Sequence, residues 1–513
     1  MRVTNSMVYG TAMNDIWRNA RYLNKLVTQI ETGKLIQRPS DDPFISSRSL
    51  RYRTILSETE QFLRNAEQGM AWMEVSEAAF NSILTGSPTQ PSAMQRINTR
   101  LLEAAQTGTN TVDDQRAILA ELKQYYNQMF GVDMNQTYLG RYVFSGFHTD
   151  QPPVLKTDQP GRSFLITQTF QAQDLERTIA FHRPSPTDMP MDRKINVLKL
   201  PYNNVDFNFP TAGIVNPSPP TFPTPIPVPG ITLADGTVLH IQTMVSTELD
   251  AYRPLDSMTV AGVEMPVIHY LRDTGELVMS DAVRELFENA GGISVTYEKN
   301  NLTAGELNPI VYFECAEVVF NAATGVFEAV HYSTRGHDIQ IEISPNAYNI
   351  INSHARDILT ANLFADLKRL FDFSDSLVSS DPRVIEEYYR GAPHFYTGDE
   401  LNEAVQKFLS DEQAMFSGAI HNRINNMLEL IMRHANQAQR EHTALGSKMA
   451  RLEMIQIRLE EDEVAFTALL SENEDTPLSD TIMRKTGAEA AFGYALMAVA
   501  RTTQLSLADF INR

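Results

Sequence analysis

The chain has 513 residues, 42% of them apolar, enough for more than one packed domain at ~100–200 residues each. Its formal net charge of −20 argues against nucleic acid and anionic membrane as partners, because both need a basic surface. A single cysteine, Cys315, excludes an intramolecular disulfide, and its place in the apolar run 310–315 marks a buried structural thiol rather than a nucleophile.

The first predicted element is a helix with a narrow apolar stripe. Met13, Ile16, Ala20, Leu23, Val27 and Ile30 fall three and four residues apart, the spacing of a helix that wants one partner helix. No apolar leader is visible in residues 1–10, and no run of ~18 apolar residues is present to span a bilayer. After Arg38-Pro39-Ser40-Asp41-Asp42-Pro43, a second helical pattern runs through Leu56, Leu63, Ala66, Met70, Met73, Phe80 and Leu84. Asp41 or Asp42 can cap it, with Pro43 in its first turn. Gly86-Ser87-Pro88 ends it. Met94, Ile97, Leu101 and Ala104 begin a third helix, and Ile118, Leu122, Tyr125 and Met129 continue beyond a polar gap at 107–114.

Residues 151–400 change character. Nine prolines between Pro201 and Pro229 forbid helix and favour extended chain. The stretch 231–241 reads as a hairpin around Asp235-Gly236, and 293–297 and 339–343 alternate as half-buried strands do. A short helix is expected near Leu363 to Phe371. Helix returns after about residue 400 and runs through Ile420, Ile424, Met427, Ile431, Leu452, Ile455, Leu459, Phe466 and Leu469. Thr476-Pro477 breaks it before a terminal helix. There Ala488 to Ala500 is apolar on almost every side, with Phe492, Leu496 and Val499 as candidate assembly positions and Glu489 its only charge.

These elements predict an α+β chain: an elongated antiparallel helical bundle or coiled coil from both ends, with a β-rich inserted middle. Residues 1–45 and 478–513 form the terminal assembly helices, 46–150 and 401–477 the bundle, and 151–400 one or two β-rich outer domains. Residues 1–35 carry a net +3 and 478–513 a net +1, so −24 resides between them. An acidic body with near-neutral apolar ends suits a subunit that packs by its ends.

Two blocks carry a resemblance. Glu31-Thr32-Gly33-Lys34-Leu35-Ile36-Gln37-Arg38-Pro39-Ser40-Asp41-Asp42-Pro43 and Asn135 through Gly140-Arg141-Tyr142-Val143-Phe144-Ser145-Gly146 resemble the hook–filament junction branch of the bacterial flagellin superfamily. The opening Met1 to Met7 and the ending Leu505-Ser506-Leu507-Ala508-Asp509-Phe510 are similar to that branch as well. Flagellins usually have Ala-Asp-Asp-Ala where this chain has its two prolines. The resemblance covers about 1–150 and 400–513. It implies a structural adaptor outside the cell, in the bacterial flagellum, exported through the flagellar type III apparatus. The partners it implies are a hook-side hook-associated protein, flagellin, copies of the chain in a ring, and an export chaperone. It also implies terminal helices that are poorly ordered in the free monomer and fold on assembly; the same mobility is expected from their apolar patterns, which have no obvious internal partner.

The Arg38–Pro43 block has two readings: it caps and redirects a helix, or it touches a neighbouring subunit. Gly140 and Gly146 permit tight turns. No cofactor is expected, and no phosphate loop, paired-cysteine motif or nucleophile elbow is present. His434 and His442 are two helical turns apart, too far to share a metal. A His-Glu-x-x-His zinc-peptidase motif, carried by some flagellins in the middle, is absent, so the expectation is a non-enzyme. The acidic run Glu460-Glu461-Asp462-Glu463 reads as a solvated helix face. A filament-forming flagellin and a flagellin-like protein with an enzymatic middle are the competing classes.

Overall fold

The computed structural model describes residues 5–511 apart from 87–88, 107–110, 183–186, 190, 209–213, 216–228, 249–251, 261, 322–325, 378 and 392. The chain is α+β. Helices α1 (Asn5–Thr32), α2 (Pro43–Phe80), α3 (Ala93–Ala104) and α4 (Val112–Gln128) come first. Ser92 with Gln95 and Thr111 with Asp114 form reciprocal caps that start α3 and α4. A π-turn, Asn81–Thr85, extends α2 and ends at Gly86, whose φ of 68° only glycine takes easily. The Ser87-Pro88 part of that expected stop, the start of the polar gap and most of the proline-rich stretch lie outside the described residues.

The middle adds α5 (Asp281–Ala290), α6 (Pro309–Tyr312), α7 (Ala355–Ile358), α8 (Ala361–Ser376) and α9 (Pro382–Arg390). The α8 helix is the one expected near Leu363 to Phe371. Helix α10 (Gly398–Glu474) runs for 77 residues, and α11 (Leu478–Ile511) follows it.

Strands β1 (Thr137–Tyr138) and β2 (Arg141–Tyr142) form a hairpin. One sheet then holds β3 (Gln159–Phe170), β4 (Glu176–His182), β5 (Met191–Lys199), β6 (Ile214–Val215), β7 (Gly230–Leu233) and β8 (Val238–Met244). It also holds β9 (Ser257–Val260), β10 (Val263–Leu271), β11 (Glu276–Met279), β12 (Ile293–Leu302), β13 (Glu314–Asn321) and β14 (Val326–Tyr332). Among the described residues these 12 strands follow the order β4-β5-β11-β10-β8-β7-β12-β3-β13-β14-β6, with β9 beside β10. Strands β8 and β10 pair in parallel, as do β6 and β14. A third sheet pairs β15 (Gln340–Ser344) with β16 (Ala347–Ile350).

The expected hairpin at Asp235-Gly236 is the β7–β8 turn. Asp235 Oδ1 accepts from the Thr237 amide at 2.8 Å, and Gly236 takes φ 92°. Strand β3 lies between β12 and β13, so Ile166 faces Tyr297 on one side and Cys315 on the other, all buried. Burial pushes the Cys315 thiol well up, so it is packed rather than reactive.

The chain divides into two compact units. One comprises Met1–Gln68, Glu342–Tyr348 and Arg451–Arg513; the other comprises Gly69–Ile341 and Asn349–Ala450. The boundaries fall inside α2 and α10 rather than where helix gives way to strand. The second unit keeps its helices and its sheet together for a physical reason. Arg369 on α8 donates to Glu276 of β11 at 2.8 Å and to Glu176 of β4, while Asn426 on α10 donates to Glu176 at 3.3 Å. Buried charges of this kind need their partners, so sheet and helices are bound together.

Candidate assembly surface

In the first unit α1 packs along α11, so the terminal helices have an in-chain partner, which the sequence reading lacked. The predicted stripe of α1 is only partly covered by it. Ile16 is buried, Ala20, Leu23, Val27 and Ile30 are half-buried, and Met13 is exposed. Among the described residues Leu26 is the most buried apolar side chain of α1 at 4% exposure, one position off the stripe, and Trp17 and Tyr22 stand exposed. On α11, Phe492 and Val499 are half-buried, Leu496 is 45% exposed, and Tyr494 and Met497 are more exposed still. Met1 to Thr4 and the side chains of 505–510 lie outside the described residues.

The Arg38–Pro43 block makes the turn between α1 and α2. The Asp41 carboxylate accepts the amides of Arg38 at 2.9 Å and Gln37 at 3.1 Å, which hold it below the usual carboxylate range. Asp42 caps α2: its Oδ1 accepts from Phe44 at 3.0 Å and Ile45 at 3.1 Å, with Pro43 at the first helical position. Arg38, Pro39, Ser40, Asp41 and Pro43 are exposed and Asp42 is half-buried. The capping reading therefore describes the two aspartates, while Arg38, Pro39 and Ser40 face outward.

What the sequence did not suggest is the partner of this turn. Gly33, at φ 69°, offers its carbonyl to the Thr476 amide at 2.8 Å, and the Leu35 amide donates to the Glu474 carbonyl at 2.7 Å. Lys34 Nζ reaches Asp475 at 2.7 Å and Glu474 at 3.5 Å. Arg53 grips Glu474 with two hydrogen bonds, at 3.0 and 2.7 Å. Asn473 donates to the Ile45 carbonyl and to Ser49. The α1–α2 turn is thus clasped to the α10–α11 turn. Thr476-Pro477 was legible as a break, but the acids just before it carry no local signal that they serve a turn more than 400 residues away.

The clasp should be acid-sensitive. Burial would raise the Glu474 carboxyl, but Arg53, Ser49 and Lys34 outweigh it and hold it low; Lys34 and Ser471 hold Asp475 low. A carboxylate with a depressed folded-state pKa contributes stability above its unfolded value, ~4, and loses it as pH falls through the folded one. The melting difference between the wild type and Glu474→Gln should therefore be widest at neutral pH and close in acid. A difference that stays constant down to about pH 3 would show that the charge of Glu474 is not what stabilises the clasp.

The second block lies in the other unit. Leu139 and Gly140, at φ 49° and 78°, make the tight turn of the β1–β2 hairpin, with Arg141 exposed, Tyr142 half-buried and Phe144 buried. Gly146 takes φ 60°, and a Cβ there would lie 2.9 Å from His337 Cβ; at Gly140 nothing lies within 4 Å. Gly146→Ala should then cost at least about 2 kcal/mol, left-handed strain plus overpacking, and Gly140→Ala about 1 from strain alone. Equal losses in urea unfolding would contradict the packing argument.

His434 and His442 each have a neighbour of their own. His434 shares a hydrogen bond with Thr360 at 3.1 Å, and His442 stacks on Phe80 at 5.2 Å. Among the described residues no group of three histidine, cysteine or acidic side chains is set to hold a metal, and no helix is long and apolar enough to cross a membrane.

Both sequence blocks lie inside the region that matches a known family. Residues 3–149 match the family described as the bacterial flagellin N-terminal helical region. Flagellar hook-associated protein 3 of Salmonella typhimurium is 24% identical over 153 residues, 30% of this chain and 46% of that protein. Flagellar hook-associated protein 3 of Escherichia coli is 23% identical over 153 residues, again 30% and 46%. The chain spans less than half the length of these two relatives. A crystal structure of FlgL from Xanthomonas campestris aligns with 82% of this chain and 99% of its own, at 11% identity and a TM-score of 0.29. The likeness read from the sequence thus has a counterpart in named relatives over 153 residues, and in the helical family over residues 3–149.

Proposed function

We propose that the chain is a structural adaptor of the bacterial flagellum, joining hook to filament and assembling through its terminal helices. The observation that carries this reading is the apolar surface left open on α1 and α11, beside a clasp built from the junction-type block 31–43. Met13, Trp17, Tyr22, Tyr494, Leu496 and Met497 all stand exposed there. Exposed apolar surface of that extent is costly in water and is relieved by association.

In this reading residues 1–45 with 478–513 form the assembly core, and 46–150 with 401–477 support it. Residues 151–400 face outward. The partners are a hook-side hook-associated protein, flagellin and further copies of this chain in a ring, after export with a chaperone through the flagellar type III apparatus. The chain acts outside the cell and catalyses nothing.

Deleting its gene in the source bacterium should leave hooks without filaments and filament subunits in the medium. Filaments of normal length and number on the deletion strain would overturn the proposal. The matched family is described as that of flagellin, which keeps a filament-subunit reading as the competitor. Purified chain that polymerises alone into long filaments would favour that competitor.

A further inference from the structure

A cleft of about 450 Å³ opens in the second unit between the start of β4, α8 and α10. Its volume is that of roughly fifteen liquid waters and lies in the range of small-ligand sites. The lining is unusual for such a site because it is mostly charged and amide-bearing. Thr360 caps α8 and Asp366 lies on it; Glu429, Arg433 and His434 come from α10, Arg177 from β4 and Lys199 from β5.

Most of the lining acids and bases are already engaged. Asp174 holds Asn362 at 3.1 Å and the Gln171 amide at 2.8 Å. Glu176 holds Arg369 and Asn426. Lys199 donates to the Thr274 carbonyl and lies 3.6 Å from Asp372. Asp366 differs. Its side chain is 19% exposed, and among the described residues its one ionic contact within 4 Å is His434 Nε2, at 3.7 Å. His434 is itself anchored through Nδ1 to Thr360. Burial raises the Asp366 carboxyl, with His434 only partly offsetting it. A carboxylate in that position has unused acceptor capacity facing the cleft. Arg433, next to His434 in sequence, is exposed at the same cleft and spends one hydrogen bond, at 3.2 Å, on the Gln173 carbonyl. Its planar fork can still take a carboxylate.

We propose that this cleft binds a free α-amino acid, with the ammonium on Asp366 and the carboxylate on Arg433. A zwitterion is the ligand class that matches an under-used acid and an under-used base in one small cleft. A simple anion would meet Glu176, Asp366 and Glu429, and a simple cation would meet Arg177, Lys199 and Arg433. A neutral sugar would leave both under-used charges unmatched, and the one aromatic in the lining, Phe170, is buried at 2% exposure and offers no stacking platform.

The test uses the full chain in thermal-shift and calorimetric titrations. The probes are the free L-amino acids, their N-acetyl and C-amide derivatives, and glucose. At least one free amino acid should raise the melting temperature and bind saturably, and blocking either of its ends should abolish both effects. Asp366→Asn, which keeps the shape, should lose binding while melting like the wild type. Arg433→Gln, an exposed change with no folding risk, should weaken binding at least tenfold. The proposal fails if no free amino acid binds, if blocked derivatives or glucose bind equally well, or if Arg433→Gln binds unchanged.

Discussion

Replacing Glu276 by glutamine should destabilise the sheet-bearing unit by about 3–5 kcal/mol, more than any surface change in the chain. Glu276 is 5% exposed. Burial alone would raise its carboxyl, yet Arg369, Lys199 and Arg423 together hold it below the usual range. Arg369 donates to it directly at 2.8 Å. Arg423 is buried, lies 3.7 Å over the Phe373 ring, and has its guanidinium pushed down to about 10 by burial and by Arg369. Burial lowers Lys199 as well. Three buried cations thus lean on one carboxylate. Neutralising it leaves them with Glu176, Asp366 and the half-exposed Asp372 for three cations, so the loss is that of a buried countercharge rather than of one hydrogen bond. Glu288→Gln, which removes an exposed partner of Arg284 on α5, should change nothing measurable. Urea unfolding of both variants in the full chain decides it. A loss of less than about 1 kcal/mol for Glu276→Gln would show that the network is hydrated and cheap.

That network also shows where sequence reading stops. Glu276, Arg369 and Arg423 look like surface residues in a one-dimensional pattern, since isolated charges usually are. Only the fold reveals that they meet under a sheet. The same holds for strand order. The β7–β8 hairpin was legible because Asp235-Gly236 is a local turn signal. The placement of β3 between β12 and β13 depends on contacts more than a hundred residues apart, and the parallel β8–β10 pairing has no turn to announce it. The helices were readable because their period is written in adjacent residues. The stripe of α1 led to Ile16, yet Leu26, one position off that stripe, is better buried. The block 31–43 was readable as a helix cap. Its partner, Glu474-Asp475-Thr476, was not, because nothing in those three residues encodes a distant turn.

Leu496→Asp should abolish assembly while leaving the free chain's melting nearly unchanged. Leu496 is 45% exposed on α11, so an aspartate there can remain in water and removes little packing from the monomer. Helix propensity falls only slightly for one exposed substitution, by less than ~1 kcal/mol. Under the proposed assembly the same position would be buried against another subunit. The charge is then stranded without a partner, which costs several kcal/mol at every copy of the contact. A repeated contact multiplies that cost around a closed assembly, so a moderate defect per interface becomes loss of the whole. Leu26→Asp is the informative contrast: at 4% exposure it should lower the monomer's own stability as well, by placing a charge in a buried apolar position. Two measurements separate the cases, thermal melting of the purified chain and motility of cells carrying each variant. Leu496→Asp should melt normally and leave cells non-motile with filament subunits in the medium. Full motility with Leu496→Asp would mean that this face of α11 is not where the subunits meet. The open apolar surface would then need another explanation.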